Sequence, residues 1–288
     1  MGSDLRAFGE YLRARRNVTQ PEDVGLRRDA GRRVPGLRRD ETAMLAGMSN
    51  EYYLRLEQGR GGRPSDQVML SLARVFGLDE EARIYMFRMV TGAVVDPAPP
   101  AHSAEQIGRV LDQWQNTPAY LSDRHRDIVA SNVLATHFGN GGLAAGSNVV
   151  IDMFAPHMRR DVLNWEEMTL AALASLRRDA PPNSPRLAQI VDLLSAEPDF
   201  PRMWSRHDVS GPGDATFHLR VPGVGTIDVE AQNFGVHSLP GYQITVLAAR
   251  PGSTAAHVFA HLAASLAERQ VESAPPAVPT SSSPPGGY

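Results

Sequence analysis

Asn50, Glu51, Leu54, Arg55 and Gln58 fall on one side of a helix, and Tyr53 and Leu56 on the other, when successive residues are turned by 100 degrees. An amide, a carboxylate and a guanidinium gathered at a helix N-terminus are the groups that read base edges in a DNA major groove. Arg55 suits guanine and Asn50 suits adenine, while Glu51 can accept from cytosine and Leu54 can pack on a thymine methyl group. Two amphipathic helices joined by a short turn also occur in proteins that never meet DNA, so the surroundings decide the matter.

Other groups invite a catalytic reading without converging on one. His257 and His261 have the i,i+4 spacing that chelates metal on a helix, yet no HExxH pattern accompanies them. No nucleophile elbow or Walker loop occurs, and Gly139-Asn140-Gly141-Gly142 follows a helical stretch instead of a strand. With Cys 0, disulfides, thiolate metal sites and thiol redox sensing are excluded. The expectation is no catalytic residue, no metal and no cofactor.

The base-reading face needs a frame. Arg39 to Ala46 are mostly good helix formers, Gly47 supplies the permissive turn residue, Met48 can plug the angle between two helices, and Ser49 has an N-capping oxygen. A second helix is therefore expected from Asn50. Leu5, Phe8 and Leu12 predict a helix from Asp4 to Arg16, Val68 to Phe76 another, and Asp79 caps one through Val90 with Ile84, Phe87 and Val90 inward. These make an all-α, five-helix domain over residues 1–92.

Residues 27–39 form a basic loop broken by Gly and Pro. Residues 1–64 hold 13 arginines against 9 acidic residues, a net of +4, which leaves −7 for the remainder of a chain whose total is −3. Positive charge thus coincides with the expected reading helix, as phosphate contacts require.

Residues 93–102 are Pro-rich and cannot continue a helix, so they are expected to link two domains. Residues 103–270 mix element types: a helix from Ser103 to Gln115, two short strands around a polar turn within 119–130, helices at 132–138, 147–155, 161–179 and 185–196, three strands at 215–221, 226–234 and 242–248, and a last helix at 253–269. That is an α+β domain with an antiparallel sheet. Residues 271–288 lack apolar periodicity and are expected to be disordered. No apolar run reaches the roughly 18–20 residues of a membrane span, and no signal-peptide core opens the chain, so a cytoplasmic location is expected.

Residues 4–90 resemble the xenobiotic-response-element type of bacterial helix-turn-helix regulator. The carriers are Leu45-Ala46, Gly47-Met48-Ser49, Tyr52-Tyr53 and Leu56-Glu57-Gln58-Gly59-Arg60, followed by Arg63-Pro64-Ser65. The resemblance implies that Arg38, Arg39, Gln58 and Arg60 grip the DNA backbone, with Ser49 and Arg63 completing the interface. Such contacts set register without reading sequence.

Residues 104–255 resemble the MmyB-like ligand-binding domain that follows such modules in actinobacterial regulators, a PAS-like fold. Its carriers include Thr117-Pro118-Ala119-Tyr120, Asp127 to Asn132, Asn164-Trp165-Glu166, Phe200 through Val209, and Ala249 to Ser253. Residues 229–234 depart from the pattern, where relatives more often carry an aromatic residue and alternating leucines. The resemblance implies a small apolar ligand, a fatty-acid-like molecule being one candidate. Trp114, Tyr120, Phe138, Phe154, Trp165 and Trp204 are candidate walls, with Asn132 and His207 as orienting polar groups. Taken one by one, those aromatics suit plain core packing better than a ligand wall, while a pocket somewhere in the domain is expected. The expected partners are an operator in double-stranded DNA, the small apolar ligand and a second copy of the chain as a homodimer, with no membrane. The alternative is a DNA-binding co-regulator whose second domain docks a protein partner.

Overall fold

The computed structural model describes residues 5–28, 34–91, 101–138, 141–182, 184–210 and 213–273. The expected linker lies outside these residues except at 101 and 102, which are helical. Most of the basic loop's centre and residues 274–288 lie outside them too.

Helices α1 (Leu5–Val18), α2 (Arg39–Leu45), α3 (Asn50–Glu57), α4 (Asp66–Val75) and α5 (Glu80–Thr91) form the N-terminal bundle, with a 3-10 turn at Glu22–Val24. Phe8, Tyr11, Leu12, Tyr53, Leu56, Met69, Leu72 and Met86 are its buried centre. One expectation fails here: Ile84 points outward at 42% exposure, and the inward face of α5 is Ala82, Tyr85, Met86, Met89 and Val90. Tyr85 sets that rotation by packing edge-on against Tyr11 at 5.4 Å.

The second unit holds α6 (Ala101–Leu111), β1 (Ala119–Ser122), β2 (Ile128–Ser131), α7 (Val133–Phe138), α8 (Val149–Met153), α9 (Pro156–Asp161), α10 (Trp165–Asp179), α11 (Pro185–Leu194), α12 (Phe200–Trp204), β3 (Ala215–Val221), β4 (Gly225–Gly235), β5 (Gln243–Ala248) and α13 (Thr254–Ser273). Five antiparallel strands run in the order β2-β1-β5-β4-β3, the open sheet implied by the PAS-like resemblance. Strand β4 alternates as a half-buried strand must, with Ile227, Val229 and Ala231 buried and Asp228 exposed. Its apolar face joins Leu247 and the α13 residues Ala255, Phe259 and Leu266 in one core. Helix α6 packs on the opposite face, over Leu121, Ala119 and Ile244.

The helix expected over 161–179 is interrupted. Val162 bridges to Leu219 of β3, the Leu163 amide donates to the His218 carbonyl, and the Asn164 side chain bonds Thr216 and His218 backbone, so the chain pairs with the sheet before α10 begins. Asn164 directly before Trp165-Glu166-Glu167 was the readable signal for that new start. Helix α12 was not expected, being five residues long. The last helix runs to Ser273, three residues into the expected tail.

Candidate DNA-reading surface and ligand cavity

Helix α2 ends at the turn Gly47, whose φ of 68° is the left-handed conformation a side chain resists, and the Met48 amide then reaches the Ala43 carbonyl. Ser49 caps α3 by accepting from the Tyr52 amide at 3.1 Å. Tyr53 and Leu56 are buried at 0% and 2% exposure, which fixes the rotation of α3 and leaves Asn50, Glu51, Arg55 and Gln58 exposed and Leu54 half-buried. The Arg55 guanidinium lies 5.9 Å from the Tyr52 ring centroid, on the same open surface. Ser49, Arg60 and Arg63 are exposed nearby.

Behind the reading face sits an ion cluster that residue spacing did not disclose. The Glu57 carboxylate is fully buried and accepts from Arg16 Nε of α1 at 2.6 Å and from Arg39 Nε of α2 at 2.8 Å. Arg16 Nη1 also donates to the Leu37 carbonyl. Burial alone would raise the Glu57 pKa, but the bonds from Arg16 and Arg39 outweigh it and hold the carboxyl below its ordinary value. Helix α1 comes so close to α3 that Gly9 leaves no room for a Cβ beside the Glu57 carbonyl. Arg39, expected on the DNA backbone, is therefore committed to Glu57 while its side chain remains 47% exposed. Arg38 starts α2, its amide bonded by Glu41.

A cavity of about 900 Å³ lies between the β3-β4-β5 end of the sheet and helices α7, α8, α9 and α13. Its walls are mainly apolar, with Phe138, Met153, Met158, Leu219, Val229 and Leu262 among them. Of the residues expected to line it, Tyr120 and Phe138 do so. Burial raises the Tyr120 phenol above its ordinary pKa, against the opposing hydrogen bond with Thr245.

The other six lie elsewhere, each for a physical reason. Asn132 is buried as a structural staple, accepting from the Ala119 and Ala135 amides and donating to the carbonyls of Leu111, Trp114 and Thr117. Trp114 is 37% exposed past the end of α6. Phe154 and Trp165 meet edge to face at 6.0 Å, with the Trp165 indole donating to the Met153 carbonyl, in the core on the far side of α8. Trp204 stacks on Phe200 at 5.6 Å and carries the Arg177 guanidinium 3.8 Å from its ring centroid. What residue spacing missed are the polar cavity groups: His137, Asp152, His157, Asp161, Arg220 and Arg269, with His257 and His261 on α13. Only the i,i+4 spacing of the last pair was visible as a signal. Among the described residues no group of three or more His, Asp or Glu side chains could hold a metal.

His207 belongs instead to the seam between the two units. It adopts φ 52°, its ring packs on Tyr11 of α1 at 6.1 Å, and Nδ1 is buried without a partner. Burial, with Arg177 and Arg15 close by, lowers its pKa to about 3 and keeps the ring neutral. Arg177, itself buried, donates to the Trp204 and Asp208 carbonyls and lies against Tyr85 of α5. Arg88 of α5 donates to the Arg178 carbonyl at 2.8 Å and to that of Asp179, capping the end of α10.

A helix-turn-helix with its outer face exposed, joined to a sheet domain that carries a mainly apolar cavity, defines a DNA-binding regulator carrying a ligand domain. Residues 104–262 match the model described as MmyB-like transcription regulator ligand binding domain, and the chain belongs to that family. Residues 7–84 match a helix-turn-helix domain. No curated protein matches the chain. Among the described residues, no helix is long and apolar enough to cross a membrane.

Proposed function

We propose that this transcription regulator is a one-component switch, in which α3 reads an operator and the cavity binds a small, largely apolar molecule that changes operator affinity. The observation that carries it is the pairing of an exposed Asn50–Arg55 face, anchored through Tyr53 and Leu56, with the cavity of about 900 Å³ in the same chain. A volume of that size suits a small ligand better than a docked protein segment, which favours sensing over the co-regulator alternative. The residues proposed for DNA are Arg38, Arg39, Ser49, Asn50, Glu51, Leu54, Arg55, Gln58, Arg60 and Arg63, with Arg39 contributing only the part of its guanidinium not held by Glu57. Tyr120 and Phe138 remain the proposed ligand contacts from the sequence, joined by the cavity residues named above. A homodimer on two half-sites about 34 Å apart would supply the affinity that one reading helix lacks.

The proposed transmission path is short. Asp152 and Met153 of α8 line the cavity, α8 packs on α10, and α10 is held by Arg88 of the DNA-binding bundle. A ligand shifts operator affinity only if it binds the two domain arrangements unequally. Selection of bound duplexes from a random-sequence pool, with mass spectrometry of small molecules extracted from the purified chain, tests the reading. Enrichment of one palindromic site and recovery of an apolar compound are expected; duplex binding without sequence preference would overturn it.

A further inference from the structure

Arg55 has two neighbours one turn back along α3, and they offer it different contacts. Glu51 stands four residues before it, the spacing and order at which a carboxylate and a guanidinium pair on a helix surface. Tyr52 stands three residues before it. The Arg55 guanidinium carbon lies 5.9 Å from the Tyr52 ring centroid, and among the described residues no carboxylate pairs with it. Glu51 stays exposed in the first turn of α3, where the helix N-terminus itself favours a negative charge. Tyr52 is anchored. It packs half-buried against the core of the bundle, and Ser49 accepts from its backbone amide at 3.1 Å, so the ring is a fixed shelf at the edge of the reading face.

The choice of neighbour decides what the guanidinium can still do. An ion pair with Glu51 would use the in-plane N–H donors that a base edge needs. A ring attracts the guanidinium through its π face and leaves those donors unspent. A long arginine also loses rotamer freedom when it locks onto a base, and a shelf that holds it beforehand reduces that loss. We propose that Tyr52 is the positioning residue for base reading by Arg55, its ring keeping the guanidinium from Glu51 and sharpening the choice at one base pair. This rests on the reading of α3 as the base-reading helix.

The test uses the full chain and a random-sequence duplex pool, from which the relative affinity for each base at each position is read. Arg55→Ala marks the position that Arg55 reads. Tyr52→Phe keeps the ring and should leave the preference there unchanged, whereas Tyr52→Leu should lower it about two- to fivefold, the worth of one exposed cation–π contact. Replacing Tyr52 by trifluorophenylalanine keeps the shape of Phe and drains electron density from the ring face. It should lower the preference as the leucine does, and it decides the matter if the leucine variant fails to fold. Preferences at all other positions and the melting profile should not move, as they would if Tyr52 served only the core. In the Arg55→Ala background these changes should have no further effect. A preference that survives loss and fluorination of the ring, or an equal weakening of every duplex, overturns the positioning role and leaves base reading by Arg55 intact. If Arg55→Ala alters the preference at no position, base reading by Arg55 falls and the positioning role falls with it.

Discussion

Arg16 and Glu57 stand 41 residues apart in the chain, yet the arginine Nε donates to the buried carboxylate at 2.6 Å and thereby ties α1 to the back of the reading helix. Replacing Glu57 with Gln would strand the buried Arg16 charge, and loss of one member of such a pair costs about 3–5 kcal/mol. The expected outcome, measured by chemical denaturation, is a large fall in stability with operator binding lost in parallel. Because the folded carboxyl is held below its ordinary value of 4.5, its contribution is complete above that pH and is lost as pH falls below it. The variant should lack this acid-dependent component.

Arg55 and Arg60 should separate base reading from phosphate grip. Arg55→Ala is expected to cost about 1–3 kcal/mol on the preferred site and to relax selectivity at one base pair. Arg60→Ala should weaken all duplexes about equally and reduce the salt slope by about one ion. Titrations at several salt concentrations, on the preferred site and on a scrambled duplex, distinguish the two; an unchanged base preference in Arg55→Ala would contradict its assigned role.

His207 should make the chain acid-sensitive. With a folded pKa of about 3 against an ordinary 6.5, the ring stays neutral when folded and takes a proton only on opening. Its stability contribution is therefore full above pH 6.5 and is lost as pH falls from there towards about 3, amounting to on the order of 3 kcal/mol by pH 4. His207→Asn tolerates the left-handed backbone and removes the titration, so its denaturation profile should be flatter between pH 6.5 and 4. An identical slope in both proteins would show that the ring does not carry the effect.

Leu262→Trp should fill the cavity from α13, where Leu262 packs half-buried beside Phe259. Fluorescence of an apolar reporter dye is expected to fall to background, with basal operator binding retained. Undiminished dye binding would place the ligand site elsewhere.

The helix-turn-helix was legible because its information is local. Ser49 caps within three residues, Gly47 turns within one, and the rotation of α3 follows from Tyr53 and Leu56 at helical spacing. The five strands were legible for the same reason, as alternating or β-branched runs between turns. Asn132 and His207 looked like ligand groups because residue type alone does not tell a polar side chain that serves a ligand from one that staples backbone or fills a seam.

By itself, then, the sequence determined most of the order of elements, the short helices α9 and α12 apart, together with the open face bearing Asn50 and Arg55 and the segregation of positive charge onto the first domain, since each depends on neighbours in the chain. Only the tertiary structure decided that Glu57 clamps three helices, that His207 and Arg177 hold the two units together, and which side chains line the cavity. Those wall residues come from separate stretches between Tyr120 and Arg269, and no periodicity within one stretch encodes which face of another it will meet.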